Sequence, residues 1–344
     1  MKNKNIFKIN IIYFVALCLV ATVFVLGYLG FLKNDIISSF LIQIVVMFAI
    51  PILMYMLLTK KSIKQTFFDC GFKKITSKML GITIILGFVL YFINSFVADA
   101  FYGIISMFGY ESISSQSTTS FSYGMLLKDL ILSCVLPGIC EEFLHRGILL
   151  NASKKHTNTR YCLIVSSILF GLTHLNIRQF FYASILGFLM GLVTLASDSI
   201  IPAIIIHFMN NFLSNYFFYG KQLNWHLAKF VGFVENFFMA DLFIFVVTSI
   251  ISTMLLILLY RYLLKHLFKE RIQNEVKTIV KALQMEKLTL IQAQIKFNQI
   301  NELLKNKSKK EQNIKQSFTD KIFLISSIVL GTLITISSFI WGVI

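Results

Sequence analysis

"IIYFVALCLVATVFVLGYLGFL", residues 11–32, contains no charged side chain. It is longer than the ~18 apolar residues that mark a membrane-spanning helix. Similar runs recur along a chain that is 56% hydrophobic and 14% charged, whereas a soluble domain is about a quarter charged. The runs are continuous rather than alternating, which excludes a membrane β-barrel. Because backbone groups in lipid need partners within the structure, we predict an all-α, polytopic transmembrane helical bundle.

Nine spans are predicted, at residues 9–32, 36–58, 79–107, 123–150, 161–176, 180–196, 200–218, 232–260 and 322–344. The loops between them alternate in charge. Loop 60–78 holds six lysines and loop 154–160 holds three basic residues, while the intervening loops hold few. Since Lys and Arg concentrate on the cytoplasmic side, the N-terminus is predicted to be cytoplasmic. The first run is too long for the apolar region of a signal peptide, so we interpret it as an uncleaved anchor.

The net charge of +16 is concentrated late in the chain. Residues 261–321 contain 14 Lys/Arg and 6 Asp/Glu, a net of +8. Basic segments beside spans attract anionic lipid headgroups, so we expect contact with those headgroups and no nucleic acid. Val276, Ile279, Val280 and Leu283 keep a helical period, which favours an amphipathic helix along the inner leaflet over a coiled coil.

The five cysteines form no C-x-x-C pair. We interpret them as small core residues rather than as a disulfide framework or a thiolate metal site. They are Cys18, Cys70, Cys134, Cys140 and Cys162.

Histidines stand inside three of the predicted spans. "GICEEFLHRGIL", residues 138–149, holds two glutamates, a histidine and an arginine; "FGLTHLNI", residues 170–177, and "IIIHFMNNF", residues 204–212, hold one histidine each. Such groups are rare at membrane depth and face the bundle interior or a wet cavity. Residues four apart share a helix face, which pairs Glu142 with Arg146, Glu141 with His145, Phe170 with His174 and His207 with Asn211. We therefore expect one buried polar cluster where three helices meet.

This set of side chains suits hydrolysis by water. Burial and a neighbouring carboxylate both raise the proton affinity of a carboxylate, which fits one of Glu141 and Glu142 to act as a general base. His207 and Asn211 are suited to donate hydrogen bonds to an oxyanion. A Zn²⁺ ion held by one glutamate and two histidines is the alternative, although the chain has no H-E-x-x-H motif.

Some of these residues also have simpler structural interpretations. A Glu–Arg pair in a membrane helix can be only a structural bridge. We expect His145 to point towards the headgroups in a structural role, Phe170 to pack in the core, and Asp198 to lie in the N-cap region of a helix. Pro137, four residues before Glu141, is expected to bend its helix and admit water.

The motifs resemble those of the CPBP family of intramembrane proteases, also called the Abi or CAAX-protease family. "EEFLHR" fits E-E-x-x-x-R, "FGLTH" fits F-x-x-x-H and "HFMNN" fits H-x-x-x-N, over roughly residues 123–218. The resemblance implies a membrane endopeptidase whose site opens to the cytoplasmic side. It implies that Glu141 and His174 activate water, that His207 and Asn211 bind the oxyanion or a metal, and that Glu142 and Arg146 complete the first motif.

The resemblance leads to a division into five segments: N-terminal spans 1–122, a catalytic core 123–218, a further span 219–260, a basic cytoplasmic helical segment 261–321 and a last span 322–344. The expected substrate is a hydrophobic peptide or membrane protein, and the expected location is a bacterial cytoplasmic membrane. Two alternatives stay open. One is a non-catalytic protein of the same fold acting in bacteriocin immunity or regulating an envelope enzyme. The other is a carrier, which the absence of an inverted repeat disfavours.

Depth places a condition on the cluster. Glu141 lies about 13 residues from Lys154, which is ~20 Å of helix, whereas His207 lies only about seven residues beyond Ile200. The groups meet if the third helix begins inside the bundle, or if the cytoplasmic ends of the helices tilt around a water-filled funnel. We expect the funnel.

Overall fold

The computed structural model describes residues 4–111, 122–239, 242–304 and 318–343, and within those ranges it contains helices and turns but no strand. The predicted all-α fold is confirmed. The helices are α1 Lys4–Tyr28, α2 Asp35–Thr59, α3 Ile63–Asp69, α4 Ser77–Ser106, α5 Tyr123–Lys155, α6 Thr159–Thr173, α7 Ile177–Ser197, α8 Ile201–Gln222, α9 His226–Met239, α10 Leu242–Gln284, α11 Leu290–Leu304 and α12 Phe318–Val343.

Seven helices in the described ranges are long and apolar enough to cross a membrane. Each of the nine predicted spans overlaps a helix, but α6 and α8 are not among the seven. Helix α6 has only 15 residues, and α8 is interrupted by polar side chains. These are the two helices that carry His174 and His207. The count of nine spans therefore stays a prediction, while a multi-pass membrane protein is supported.

The two ends of the bundle differ in composition. What we call the lysine-rich end contains the turns at residues 60–78 and 153–160 and the start of α8. The opposite end, which we call the aromatic end, contains the stacked rings of Tyr28 and Trp341 and of Tyr110 and Phe339. There the amide of Glu111 also donates to the carbonyl of Gly342.

Asp198 joins three elements at the lysine-rich end. It forms ion pairs with Lys73, with Lys154 at 3.3 Å and with Arg271 of α10 at 3.9 Å. It is the C-cap of α7, with φ +52°, and Ile200 occupies the N-cap position of α8. The expectation that Asp198 starts a helix is wrong, because its carboxylate is drawn to these three cations instead of to the amides of α8.

We expect acid to weaken this junction. Burial acts to raise the pKa of Asp198, but the charges of Lys154, Lys73 and Arg271 and the Lys73 hydrogen bond outweigh it and lower that pKa. Because the folded pKa is depressed, the stabilisation is complete above the unfolded aspartate pKa of about 3.9. It is lost as pH falls through the folded pKa. Unfolding followed at pH 6 and below should show a smaller acid-induced loss of stability in Asp198→Asn than in wild type; equal losses would contradict this.

The basic segment forms a helical hairpin. Helix α10 continues through residue 260, where the sequence suggested a division, and α11 then packs back against its second half. Ile272, Ile279, Ala293 and Ile300 form the buried centre of this contact, with Val276 and Leu283 at its edge. The apolar face of the predicted amphipathic helix thus packs mainly on α11 instead of on the inner leaflet, although Val280 on that face is exposed. Contact with anionic lipids stays a prediction.

Candidate active site

Glu142 and Arg146 form the buried centre of the site. They are 0% and 1% exposed, and Nη1 of Arg146 donates to Oε1 of Glu142 over 2.7 Å. The four-residue spacing puts both on the inner face of α5. The guanidinium also donates from Nη2 to the carbonyl of Gly187 at 3.1 Å and stacks 4.3 Å above the ring of Phe170. A Cβ at Gly187 would lie 3.3 Å from Nη2 of Arg146 and 3.1 Å from the Phe170 ring. The glycine therefore allows α7 to pack this closely against Arg146 and Phe170.

His207 ties α8 to the same carboxylate. Its Nδ1 lies 2.9 Å from Oε1 of Glu142. Since a carboxylate only accepts, the proton is assigned to Nδ1. The two helices approach closely at Gly138, where a Cβ would lie 3.3 Å from the carbonyl of Ile204 and 3.4 Å from the amide of Phe208. The sequence signal for this close packing is the glycine directly after Pro137.

Phe170 lies at the centre of three histidines. Its ring makes edge contacts with the rings of His145, His174 and His207, at centroid distances of 5.0, 5.2 and 5.6 Å. Phe170 is 1% exposed, as expected of a core residue. Its packing fixes the relative positions of imidazoles from three helices.

His145 does not point towards the headgroups, and that expectation is wrong. It is 0% exposed. Its Nδ1 is 2.8 Å from the main-chain oxygen of Glu141 and its Nε2 is 3.1 Å from Oγ1 of Thr173. Tyr13 of α1 completes the group, with its hydroxyl 2.7 Å from the same Thr173 oxygen. Because partners inside the bundle satisfy both ring nitrogens, the ring stays in the interior in a structural role.

Glu141 and His174 face a cavity of about 690 Å³, which His207 and Asn211 also line. Oε1 of Glu141 accepts a hydrogen bond of 2.8 Å from Nε2 of Gln43. Nδ1 of His174 lies 2.9 Å from the main-chain oxygen of Phe170, so this nitrogen carries the proton. In this tautomer Nε2 is an acceptor and can take a hydrogen bond from water.

A chain of amides fixes Asn211. Nδ2 of Asn94 donates to Oδ1 of Asn210 and Nδ2 of Asn210 donates to Oδ1 of Asn211, both at 3.1 Å. Nδ2 of Asn211 donates to the main-chain oxygen of Ser133 at 2.8 Å. An amide nitrogen has two hydrogens, so the second one is available to a ligand in the cavity.

Gln43, Asn94 and Asn210 were not predicted from the sequence as parts of the site. All three are buried, and each interrupts an apolar run, in "LIQIVV", "YFINSF" and "HFMNNF". Uncharged polar residues at membrane depth carry the same signal as charged ones, because each needs a partner there. A search restricted to ionisable residues passes over them.

The described residues do not assemble a metal site from three or more His, Cys, Asp or Glu side chains. Glu141, His174 and His207 line one cavity, and Nδ1 of each histidine is bonded to a protein oxygen. A metal-binding histidine commonly donates its other ring N–H to such an oxygen and binds the ion through the remaining nitrogen. The Zn²⁺ alternative therefore stays a prediction.

Helix α8 begins inside the protein, which resolves the difference in depth. The amide of Ile200 donates to the carbonyl of Gly71 at 3.0 Å, and Ile200 is 0% exposed. Gly71 has φ +84°, and a Cβ there would lie 2.4 Å from Nδ2 of Asn151. The turn after α3 therefore covers the start of α8, and His207 lies at the depth of Glu142.

The lining of the cavity extends to the aromatic end, whereas the funnel was expected at the lysine-rich end. Its lining runs from Glu141 and His207 in the interior to Tyr110, Glu111 and Trp341. The short α6 explains this direction. Its 15 residues span ~22 Å of a hydrocarbon layer ~30 Å thick, so a helix that starts at the lysine-rich end stops short of the other surface, at His174.

The comparisons with known proteins agree with the motifs. Residues 123–213 match the family model described as type II CAAX prenyl endopeptidase Rce1-like. No curated protein and no solved structure matches the chain. The matched range contains Glu141, Glu142, Arg146, His174 and His207, together with Asn211. Over residues 123–213 the chain is thus similar to type II CAAX prenyl endopeptidases of the Rce1-like kind, which is consistent with the CPBP, or CAAX-protease, family that its motifs resemble.

Proposed function

We propose that the protein is an intramembrane endopeptidase that hydrolyses a peptide bond of a membrane-associated or hydrophobic polypeptide with water activated by Glu141 and His174. The observation that carries the proposal is the cavity in which these two residues meet His207 and Asn211. The match to an endopeptidase family supports it from an independent direction.

The two glutamates have different environments and therefore different roles. Glu142 is 0% exposed and its Oε1 accepts from both Arg146 and His207. It orients those partners. Glu141 lines the cavity, where Gln43 holds only its Oε1. A general base must reach the water whose proton it removes, so Glu141 takes that role and Glu142 is a positioning residue.

The reaction then follows from the lining groups. Glu141 accepts a proton from water while Nε2 of His174 orients that water, and the oxygen bonds to the carbonyl carbon of the substrate. The developing oxyanion accepts a hydrogen bond from the free amide hydrogen of Asn211. A second hydrogen bond, from Nε2 of His207, requires a proton on that nitrogen in addition to the one on Nδ1, which donates to Glu142. The C–N bond breaks as the leaving amine takes the proton back from Glu141.

To test this proposal, reconstituted wild type and His174→Ala are each incubated with a set of hydrophobic peptides, and the products are identified by mass spectrometry. We expect wild type to cleave and His174→Ala to lose activity by about a hundred-fold, within the usual range for acid–base groups. The matched control is His226→Ala, at the start of α9 and outside the cavity lining, which should keep full activity. Undiminished cleavage by a folded His174→Ala protein would overturn the assigned role.

A further inference from the structure

The cavity and the positive charge lie at opposite ends of the molecule. At the lysine-rich end, ion pairs beyond those of Asp198 also hold basic side chains: Lys61 and Lys155 pair with Asp69, and Lys78 pairs with Glu270 at 2.8 Å. The turns there also present exposed lysines at positions 60, 64 and 74. The lining of the cavity holds one basic residue, Arg178, together with Asp99, Glu111 and Glu141.

Basic residues in short loops determine which side of a multi-pass protein stays in the cytoplasm. The described residues place loops 60–78 and 153–160 together at the end remote from the cavity mouth. A cytoplasmic N-terminus and a site open to the cytoplasm are therefore incompatible in this structure. Lysines in these loops act directly on the insertion of this chain, so we infer the orientation from them and not from the side that the family resemblance implies.

The mouth itself has the composition of a membrane–water interface. Trp341 stacks on Tyr28 at a centroid distance of 5.6 Å, and Tyr110 stacks on Phe339 at 5.9 Å. Trp and Tyr are enriched at the headgroup level, where one side of the ring is apolar and the other is wet. Tyr110 and Trp341 line the cavity, so the cavity meets water at that level.

We propose that the site opens on the extracytoplasmic side of the membrane and that its substrate is a polypeptide segment presented there, such as the outer end of a membrane-spanning segment or a hydrophobic peptide after export. The cleavage of a substrate in this inference rests on the proposed function, whereas the side on which the cavity opens does not depend on it. Gln179, Tyr182 and Asn210 also line the cavity. These groups can hydrogen-bond to an extended peptide backbone.

Thiol labelling in intact cells tests on which side of the membrane the cavity opens. The full-length variants are Glu111→Cys at the mouth, Gln179→Cys within the cavity and Lys74→Cys at the lysine-rich end, where Lys74 is exposed. The wild-type chain supplies the background, since its five cysteines are buried or half-buried. A membrane-impermeant charged maleimide is added before or after permeabilisation with detergent, and the labelled fraction is read by a mass shift on a gel.

We expect Glu111→Cys and Gln179→Cys to label equally before and after permeabilisation, and Lys74→Cys to label only after it. Labelling of Lys74→Cys in intact cells, or failure to label either cavity variant before permeabilisation, would overturn the proposal. Labelling requires no catalysis. If the expected labelling pattern appears while purified wild type cleaves no peptide, the endopeptidase assignment fails and the orientation stands. If Lys74→Cys labels in intact cells and the cavity variants do not, while the protein is active, only the orientation is overturned.

Discussion

Glu141→Gln is expected to reduce peptide cleavage by about 10²- to 10⁴-fold, the range measured for loss of a general base. The amide keeps the size of the side chain and can still bond to Gln43, which now holds the carboxylate at 2.8 Å. It cannot take a proton from water. The variant should therefore fold normally, retain the unfolding transition of wild type and bind substrate while turning it over very slowly. The measurement is single-turnover cleavage in proteoliposomes, with excess enzyme, so that product release does not limit the rate.

The matched control is Glu302→Gln, an exposed residue on α11, which should cleave at the wild-type rate. Cleavage by Glu141→Gln within a few-fold of wild type would show that another group is the base. The same variant separates the enzyme from a non-catalytic immunity or regulatory protein. Complementation of a deletion strain by folded but inactive Glu141→Gln would favour the non-catalytic protein, whereas loss of complementation would favour chemistry.

Arg146→Met is expected to produce the largest loss of stability, about 3–5 kcal/mol, as is typical when one partner of a buried ion pair is removed. Methionine approximates the length of the stem but leaves the Glu142 carboxylate, at 0% exposure, with only His207 on Oε1. Oε2 of Glu142 already has no hydrogen-bond partner among the described residues. The loss should appear as a lower unfolding midpoint in detergent micelles with denaturant.

A double variant distinguishes an unpaired charge from lost packing. Glu142→Gln combined with Arg146→Met removes both charges, and replacing a whole buried pair with neutral groups is often close to neutral for stability. We therefore expect the double variant to be more stable than Arg146→Met alone. If the two are equally unstable, the loss comes from the stacking of Arg146 on Phe170, 4.3 Å away, and not from the unpaired carboxylate. Arg160→Met, exposed at the lysine-rich end, should match wild type.

Particular features of the site were readable from the chain. The spacing of Glu142 and Arg146 predicts one helix face, and the structure has them 2.7 Å apart. The three motifs predict which helices carry the lining groups, and Glu141, His174, His207 and Asn211 line one cavity. Their catalytic roles remain predictions. Gln43 and Asn94 are marked in the sequence only as polar residues that need partners, because their bonds to Glu141 and Asn210 join helices far apart in the chain.

The sequence by itself determined that the chain is a helical membrane protein and that Glu142, Arg146 and His207 face the interior, because apolar length and four-residue spacing are local properties. Only the tertiary structure decided the depth and the direction of the site. His207 meets Glu142 because the turn at Gly71 buries the start of α8, and the cavity faces the aromatic end because α6 is short and begins at the opposite surface. Both depend on where separate helices begin relative to one another, a distance that is set by packing between segments far apart in the chain.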